Sequence, residues 1–225
     1  MKLVAENIAR RYLRASSDAN YFEAVHPADL TLQSGEMVVL TGRSGSGKTT
    51  LLTMMAGLLT PSSGTVSLDG RDLYGLPDRE LSALRTRHFA VIPQGTSAIS
   101  SLTVMENVLF PAVLGKKKPP EDQAEMLMKR LDILNLRNAW PEELSGGELR
   151  RMAITRALAG NPDFVFADEP TADLDEENTK VVLQLLRETA DCGAAVFVVT
   201  HETEATAFAH RLLRMSAGAL AEGLS

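Results

Sequence analysis

The chain has 225 residues, of which 44% are hydrophobic, 23% are charged and only 5% are aromatic. This balance fits a folded domain with a sizeable core and excludes a disordered, collagen-like or disulfide-stapled chain. The formal net charge of -6 argues against a general nucleic-acid-binding protein, because phosphate contacts need clustered lysine and arginine. Cys192 has no second cysteine to pair with, and no apolar run approaches the roughly 20 residues that span a bilayer. We therefore expect a soluble chain that works at a membrane only through another chain.

Four short apolar runs, rich in β-branched or aromatic residues, indicate buried strands at residues 37–40, 89–92, 164–167 and 195–199. Helical patterns alternate with these runs, which predicts an α/β fold with a mostly parallel core sheet. Ligands of open parallel sheets bind at the carboxyl ends of the strands. We therefore expect the polar residues that follow the last three strands to converge on one edge. These residues are Gln94, Asp168, Glu169 and His201.

The β signal fades between residues 95 and 161, where helical patterns dominate. Helices are predicted there at residues 103–114, 121–134 and 145–159. We interpret this region as a helical subdomain inserted into the α/β core of a single domain that covers residues 1–225. A further helix is predicted at residues 48–58, directly after the first core strand.

A glycine-rich turn joins that strand to that helix and matches the phosphate-loop pattern G-x-x-x-x-G-K-[ST] in full. Its glycines allow several backbone N–H groups to point at one anion, and the following helix adds the positive end of its dipole. Lys48 supplies a cation for the outer phosphates, and the Thr49 hydroxyl is a ligand for Mg²⁺. The motif predicts nucleotide binding but does not separate a transporter ATPase from a small-molecule kinase or a GTPase. The predicted nucleotide-binding residues of this segment are Gly42, Arg43, Ser44, Gly45, Ser46, Gly47, Lys48, Thr49 and Thr50.

Two successive carboxylates, Asp168 and Glu169, end the third predicted strand. A single carboxylate at such a place is most simply a turn or helix cap. Two beside a phosphate loop fit a division of labour in which Asp168 holds Mg²⁺ and Glu169 acts as general base on the attacking water. The second carboxylate favours a hydrolase, because a transferase must exclude water from its site and has no use for a base that activates it.

The segment Leu144-Ser145-Gly146-Gly147-Glu148 precedes a strongly helical run. By itself it is an ordinary helix N-terminus with Ser145 as the cap. Together with the phosphate loop and the acidic strand end, it resembles the signature of the nucleotide-binding subunits of ATP-binding-cassette (ABC) transporters. The resemblance implies a P-loop NTPase core with a RecA-like, mostly parallel sheet, an N-terminal antiparallel β subdomain and an inserted helical subdomain. It also implies a head-to-tail homodimer in which Ser145, Gly146 and Gly147 complete the ATP site of the other copy.

Other landmarks of that family match this sequence in order. Gln94 matches the glutamine that senses Mg²⁺ and the attacking water, so the implied magnesium residues are Thr49, Gln94 and Asp168. Residues 172–175 match the loop that crosses the dimer interface. His201 matches the histidine that contacts the γ-phosphate, so the implied catalytic residues are Glu169, His201 and Gln94.

An aromatic residue that stacks on adenine completes the implied nucleotide site. Tyr12 is the best candidate for this role, and Tyr21 and Phe22 compete with it. The alternative interpretation of Tyr12 is an ordinary strand residue of the N-terminal sheet.

Residues 84–113 resemble the lipoprotein-releasing and macrolide-exporter branch of the family. The chain departs from that branch at Ala172-Asp173, where the branch has Gly-Asn, and at residues 95–97, where it often has an aromatic residue. Lipoprotein release, peptide or antibiotic efflux, and a cell-division-linked role without cargo therefore stay open.

The resemblance implies an ATPase that uses ATP and Mg²⁺, works beneath separate permease subunits at the cytoplasmic face of the inner membrane, and binds no nucleic acid. The apolar groups within residues 95–108 suggest a groove for a short permease helix, although some of them must pack internally. A soluble ABC ATPase of translation or DNA repair is the alternative, but it usually carries two cassettes or a coiled-coil insertion. A P-loop kinase would have no use for the Leu-Ser-Gly-Gly-Glu segment.

Overall fold

The computed structural model describes residues 1–13, 21–95 and 97–223, and within these ranges ten strands form two sheets. The strands are β1 (Lys2–Leu13), β2 (Tyr21–Gln33), β3 (Met37–Thr41), β4 (Ser63–Leu68), β5 (Arg71–Asp72), β6 (Phe89–Ile92), β7 (Phe164–Asp168), β8 (Ala195–Thr200), β9 (Arg211–Ser216) and β10 (Ala219–Glu222). The α-helices are α1 (Lys48–Met55), α2 (Asp78–His88), α3 (Val104–Leu114), α4 (Glu121–Arg130), α5 (Gly146–Leu158) and α6 (Glu176–Asp191). Short 3-10 helices cover Leu134–Leu136, Pro141–Glu143 and Glu204–Phe208.

The larger sheet has the order β10-β9-β3-β8-β7-β6, and every neighbouring pair in it is parallel except β9 with β10. Strands β7 and β8 are buried along their whole length because both faces of the sheet are covered. This arrangement confirms the predicted α/β fold with a mostly parallel core sheet. The four predicted core strands appear as β3, β6, β7 and β8.

The smaller sheet is antiparallel, with the order β2-β1-β4-β5, and supplies the N-terminal β layer that the family resemblance implies. One apolar cluster joins Ile8 of this sheet, Leu51 and Leu52 of α1, and Phe166 and Phe197 of the core sheet. A second cluster packs the helices between β6 and β7, together with α6, against the opposite face of the core sheet. The side chains of β3 alternate between the two clusters, as the two-residue period of a strand requires.

Two predicted helices end earlier than expected. The helix from Lys48 ends at Met55 rather than residue 58, because Gly57 adopts a φ of 68° that terminates it. The helix from Glu121 ends at Arg130 rather than residue 134, and Asp132 takes a left-handed φ of 52°. Within the described ranges, no helix is both long and apolar enough to cross a bilayer.

Candidate functional site

The phosphate loop leaves the end of β3 and enters α1, and two of its glycines are required by close packing. A Cβ atom on Gly42 would lie 2.4 Å from the carbonyl oxygen of Met215, and one on Gly47 would lie 2.2 Å from that of Ala24. Gly47 also has a φ of 106°, which L-residues with side chains rarely adopt. Glycine at these two positions of the motif is therefore needed for the loop to pack against the neighbouring backbone.

Lys48 is buried at the start of α1, and its ammonium group is held by the loop itself. Nζ donates to the carbonyl oxygens of Gly42, at 2.8 Å, and Arg43, at 3.2 Å. The same nitrogen lies 3.8 Å from Oε1 of Glu169. The predicted phosphate cation and the predicted general base thus lie in one ionic cluster.

A cavity of about 1080 Å³ opens over this cluster. Every residue from 42 to 50 except Ser46 lines it. The predicted polar residues Gln94, Glu169 and His201 line the same cavity, so strand ends that are far apart in sequence meet at one edge of the core sheet, as expected.

Glu169 follows β7 and is held by the end of β8. Its Oε2 accepts hydrogen bonds from Thr200 Oγ1 at 2.8 Å and from the His201 N–H at 3.3 Å, and its Oε1 lies 3.0 Å from His201 Nδ1. Burial by itself would raise the pKa of Glu169, but these hydrogen bonds outweigh burial and hold the pKa below its usual value. The carboxylate is therefore ionised at neutral pH, which is the form a general base needs.

Asp168 does not line the cavity, and the residue is only 3% exposed. Burial raises the pKa of Asp168, and a hydrogen bond with the Thr49 side chain opposes part of that rise. Oδ1 is buried and has no hydrogen-bond partner among the described residues. An unpaired buried carboxylate oxygen beside a threonine hydroxyl fits a bound hard cation such as Mg²⁺.

Tyr12 and Phe22 both line the cavity and are cross-strand partners in the antiparallel sheet. Tyr12 is 38% exposed, and the Arg10 guanidinium carbon lies 4.8 Å from its ring centroid. Tyr21, the third aromatic candidate, is 65% exposed and is not part of the lining. The structure therefore leaves Tyr12 and Phe22 as the two aromatic residues at the cavity.

The signature residues Ser145, Gly146 and Gly147 do not line this cavity. Ser145 is exposed and caps α5 through a capping box, in which its N–H donates to Glu148 Oε2 at 2.7 Å. A Cβ on Gly146 would meet no atom within 4 Å. Within one copy of the chain, the signature is thus an exposed helix start apart from the phosphate loop.

Two residues of this site were missed by the sequence analysis. Thr200 is fully buried and donates to the Glu169 carboxylate. The sequence feature that could have identified it is a hydroxyl residue directly before His201 at the end of an apolar strand. Arg150 is also buried, and it donates to the backbone carbonyl groups of Asp168 and Glu169. The sequence feature that could have identified Arg150 is a charged residue on the apolar face of the signature helix.

A comparison with protein families matches residues 25–172 to the ABC transporter family. The chain is 39% identical to the lipoprotein-releasing system ATP-binding protein LolD of Aquifex aeolicus over 96% of this chain and 94% of that protein. It is 37% identical to the macrolide export ATP-binding/permease protein MacB of Bartonella quintana over 96% of this chain. The match spans only 33% of MacB, so it compares this chain with one part of that longer protein.

A solved structure shares the whole fold. It is the dimeric structure of a post-hydrolysis state of the ATP-binding cassette MJ0796 bound to ADP and Pi, with a TM-score of 0.90 and 29% identity. The superposition covers 99% of both chains, so the two sheets and the helices around them are common to both. The family match, the relatives and the shared fold agree, and this chain belongs to the ABC transporter family.

Proposed function

We propose that this chain is the ATP-hydrolysing subunit of an exporter-type ABC transporter and that it works as a head-to-tail homodimer beneath membrane permease subunits. The observation that carries the proposal is the single cavity that brings the phosphate loop, Gln94, the ionised Glu169 and His201 together. Relatives named for lipoprotein release and for macrolide export support the exporter type.

In this proposal, the nucleotide lies along the phosphate loop. Backbone N–H groups of residues 42–50 and the Lys48 ammonium hold the outer phosphates, and α1 contributes the positive end of its dipole. Tyr12 stacks on the adenine, and Phe22, its cross-strand partner in the same lining, is the alternative for this role. Lys48 then exchanges its present carbonyl acceptors for phosphate oxygens.

Thr49, Gln94 and Asp168 would hold Mg²⁺. The buried, unpaired Oδ1 of Asp168 and the neighbouring Thr49 hydroxyl support this assignment among the described residues. When bound, Mg²⁺ neutralises negative charge on the phosphates and orients them. Gln94, which is exposed just after β6 and lines the cavity, would contribute its side-chain oxygen.

Hydrolysis needs a base for the attacking water. Glu169 accepts a proton from the water as the water oxygen bonds to the γ-phosphorus and the bond from that phosphorus to the bridging oxygen of ADP breaks. His201 hydrogen-bonds the γ-phosphate. Its Nδ1 lies 3.0 Å from Oε1 of Glu169, so the histidine and the general base lie side by side. The products are ADP and phosphate.

The signature is proposed to act on the other copy of the chain. Ser145 and the N–H groups of Gly146 and Gly147 start α5, so they present hydrogen-bond donors and a positive helix end to an anion. They are absent from the cavity of their own chain, which supports a role toward the γ-phosphate of the second copy. The dimeric form of the structurally similar MJ0796 cassette supports the same arrangement.

The permease is proposed to dock beside the segment 95–108, which places this chain at the cytoplasmic face of the inner membrane. Val104 and Met105 are buried, so they belong to the apolar groups of this segment that pack internally, as expected for some of them. Ile99 is only half-buried, and buried Asn107 shapes its loop by accepting from the Ile99 N–H at 2.8 Å. Ile99 is therefore held in place by Asn107 without being fully covered, as a docking residue requires.

The wild-type chain tests the reaction class directly. With Mg-ATP and no acceptor molecule, we expect steady release of phosphate, and chelation of the metal by EDTA should stop it. Phosphate release is measured by a coupled colorimetric assay, with boiled protein as the blank. ATP consumption that begins only after an acceptor is added would contradict hydrolysis and favour a kinase.

A further inference from the structure

Arg150 is a charged residue on the buried face of the signature helix. It is 4% exposed and shares that face with Ile154 and Ala157, four and seven residues further along α5. Burying a guanidinium is costly unless its N–H groups find acceptors. A charge at this place therefore calls for a specific set of partners.

The partners of Arg150 are all backbone carbonyl groups, and they come from two separate segments. Nε donates to Pro170 at 3.0 Å, and one terminal nitrogen donates to Asp168 at 2.6 Å and also to Glu169. The other terminal nitrogen donates to Pro93, the residue before Gln94. One side chain thus joins the signature helix to the acidic strand end and to the start of the Gln94 loop.

The contact with Glu169 acts on an unusual piece of backbone. Glu169 has a φ of 47°, a left-handed conformation that is unfavourable for a residue with a Cβ. Its N–H donates to the Val199 carbonyl at 2.8 Å, and its own carbonyl accepts from Arg150. The peptide groups on both sides of the Glu169 Cα are therefore fixed, and with them the direction in which its carboxylate leaves the chain.

We propose that Arg150 is a positioning residue for ATP hydrolysis, which holds the Glu169 backbone so that the carboxylate faces the cavity and which links Gln94 to the signature helix. The proposal rests on the ATPase function proposed above. Arg150 is not a catalytic residue, because its donors are all directed at backbone carbonyl groups rather than into the cavity.

The position of Arg150 on α5 also determines which step of the ATPase cycle its loss should affect. It lies five residues after Ser145, about 7.5 Å along a helix that rises 1.5 Å per residue. A contact made by the signature with the second copy is carried by this rigid helix to the carbonyl groups of Asp168 and Glu169. Loss of Arg150 should therefore impair turnover after ATP has bound, rather than ATP binding itself.

The test replaces Arg150 with methionine, which has similar length and no donors, and with lysine, which keeps the charge but not the fork of donors. We expect Arg150→Met to lower kcat at least about tenfold, because small misplacements of catalytic groups have effects of this size. The Kd for a fluorescent ATP analogue and the KM for ATP should stay within about threefold of wild type. Arg150→Lys should recover part of kcat.

Arg85→Met is the matched control, since Arg85 is a half-buried arginine that donates to the Gly57 carbonyl at 2.7 Å outside the cavity. It should keep wild-type kcat. If Arg150→Met does not fold, as judged by thermal unfolding, Arg150→Lys carries the test, and a lowered kcat at unchanged Kd and Tm supports the proposal. Wild-type kcat in a folded Arg150 variant, or a loss of ATP affinity as large as the loss of kcat, would overturn it. Absence of turnover in wild type and in every variant would instead contradict the ATPase function on which it rests.

Discussion

Glu169→Gln is expected to lower ATP turnover about 100-fold or more while leaving ATP binding intact, because a general base contributes roughly 10²–10⁴ in rate. The amide keeps the shape of the side chain but cannot accept the proton from water. The carboxylate is well suited to that role, since hydrogen bonds from Thr200 and His201 keep it ionised despite its burial. Phosphate release measures turnover, and binding of a fluorescent ATP analogue measures affinity.

The same variant should also trap nucleotide and hold two copies of the chain together. Gel filtration with Mg-ATP is expected to show a dimer for Glu169→Gln. Glu121→Gln, at an exposed position at the start of α4, makes the same chemical change away from the cavity and should behave as wild type. Wild-type turnover in Glu169→Gln would refute its assignment as the base.

Lys48→Ala is expected to weaken ATP binding about 10- to 100-fold, because hydrogen bonds to charged groups are each worth roughly 1.5–3 kcal/mol. The ammonium is buried at the phosphate loop and already accommodated by carbonyl groups of Gly42 and Arg43, so it is held where the outer phosphates would lie. Alanine removes the cation and leaves the helix propensity of α1 intact. Titration with the fluorescent analogue measures the loss.

Lys180→Ala serves as the control for this prediction, because Lys180 is an exposed lysine that pairs with Glu176 on the surface of α6. Its affinity for the analogue should match wild type. Thermal unfolding of both variants shows whether each of them still folds. An affinity of folded Lys48→Ala within a factor of two of wild type would contradict the role of this cation.

The core strands were predictable because they are short apolar runs buried on both faces. Strand β6 was predicted at its observed bounds, and β3, β7 and β8 each extend one residue further, to Thr41, Asp168 and Thr200. These three polar residues were not assigned to strands because pattern reasoning ends a buried strand at its last apolar residue. In the sheet, all three continue the parallel pairing with their neighbours.

Helices α2 and α6 and the strands β9 and β10 were not predicted. Helix α2 is mostly polar and buries only Leu81, so it has little apolar periodicity. Strand β9 pairs in parallel with β3, which precedes it by about 170 residues, and no local signal carries that pairing. Helix α6, by contrast, has a local signal that the sequence analysis missed, because Asp175 caps it and Val182, Leu185 and Leu186 share one apolar face. Tertiary contacts, rather than local propensity, determine β9.

The residue types of the site were predictable from motifs, but their contacts were not. The hydrogen bond of Thr200 with Glu169 and the carbonyl contacts of Arg150 join positions that are distant in sequence. They depend on the left-handed backbone conformation of Glu169, which follows an ordinary strand. No glycine at this position indicates that conformation in the sequence. The candidate residues can therefore be identified from the sequence, whereas the orientation of their side chains depends on the fold.

The central claim is that each ATP site is built from the phosphate loop of one chain and the signature of the other. Lys48→Ala and Ser145→Arg chains, each inactive alone, should regain ATPase activity when mixed, because a heterodimer contains one site with both parts intact. Random pairing makes about half of the dimers mixed, so about a quarter of the wild-type sites should return. Phosphate release after mixing, with heterodimers verified by differently tagged chains, is the measurement. Recovery toward that level is the predicted result, and no recovery despite verified heterodimers would contradict the shared site.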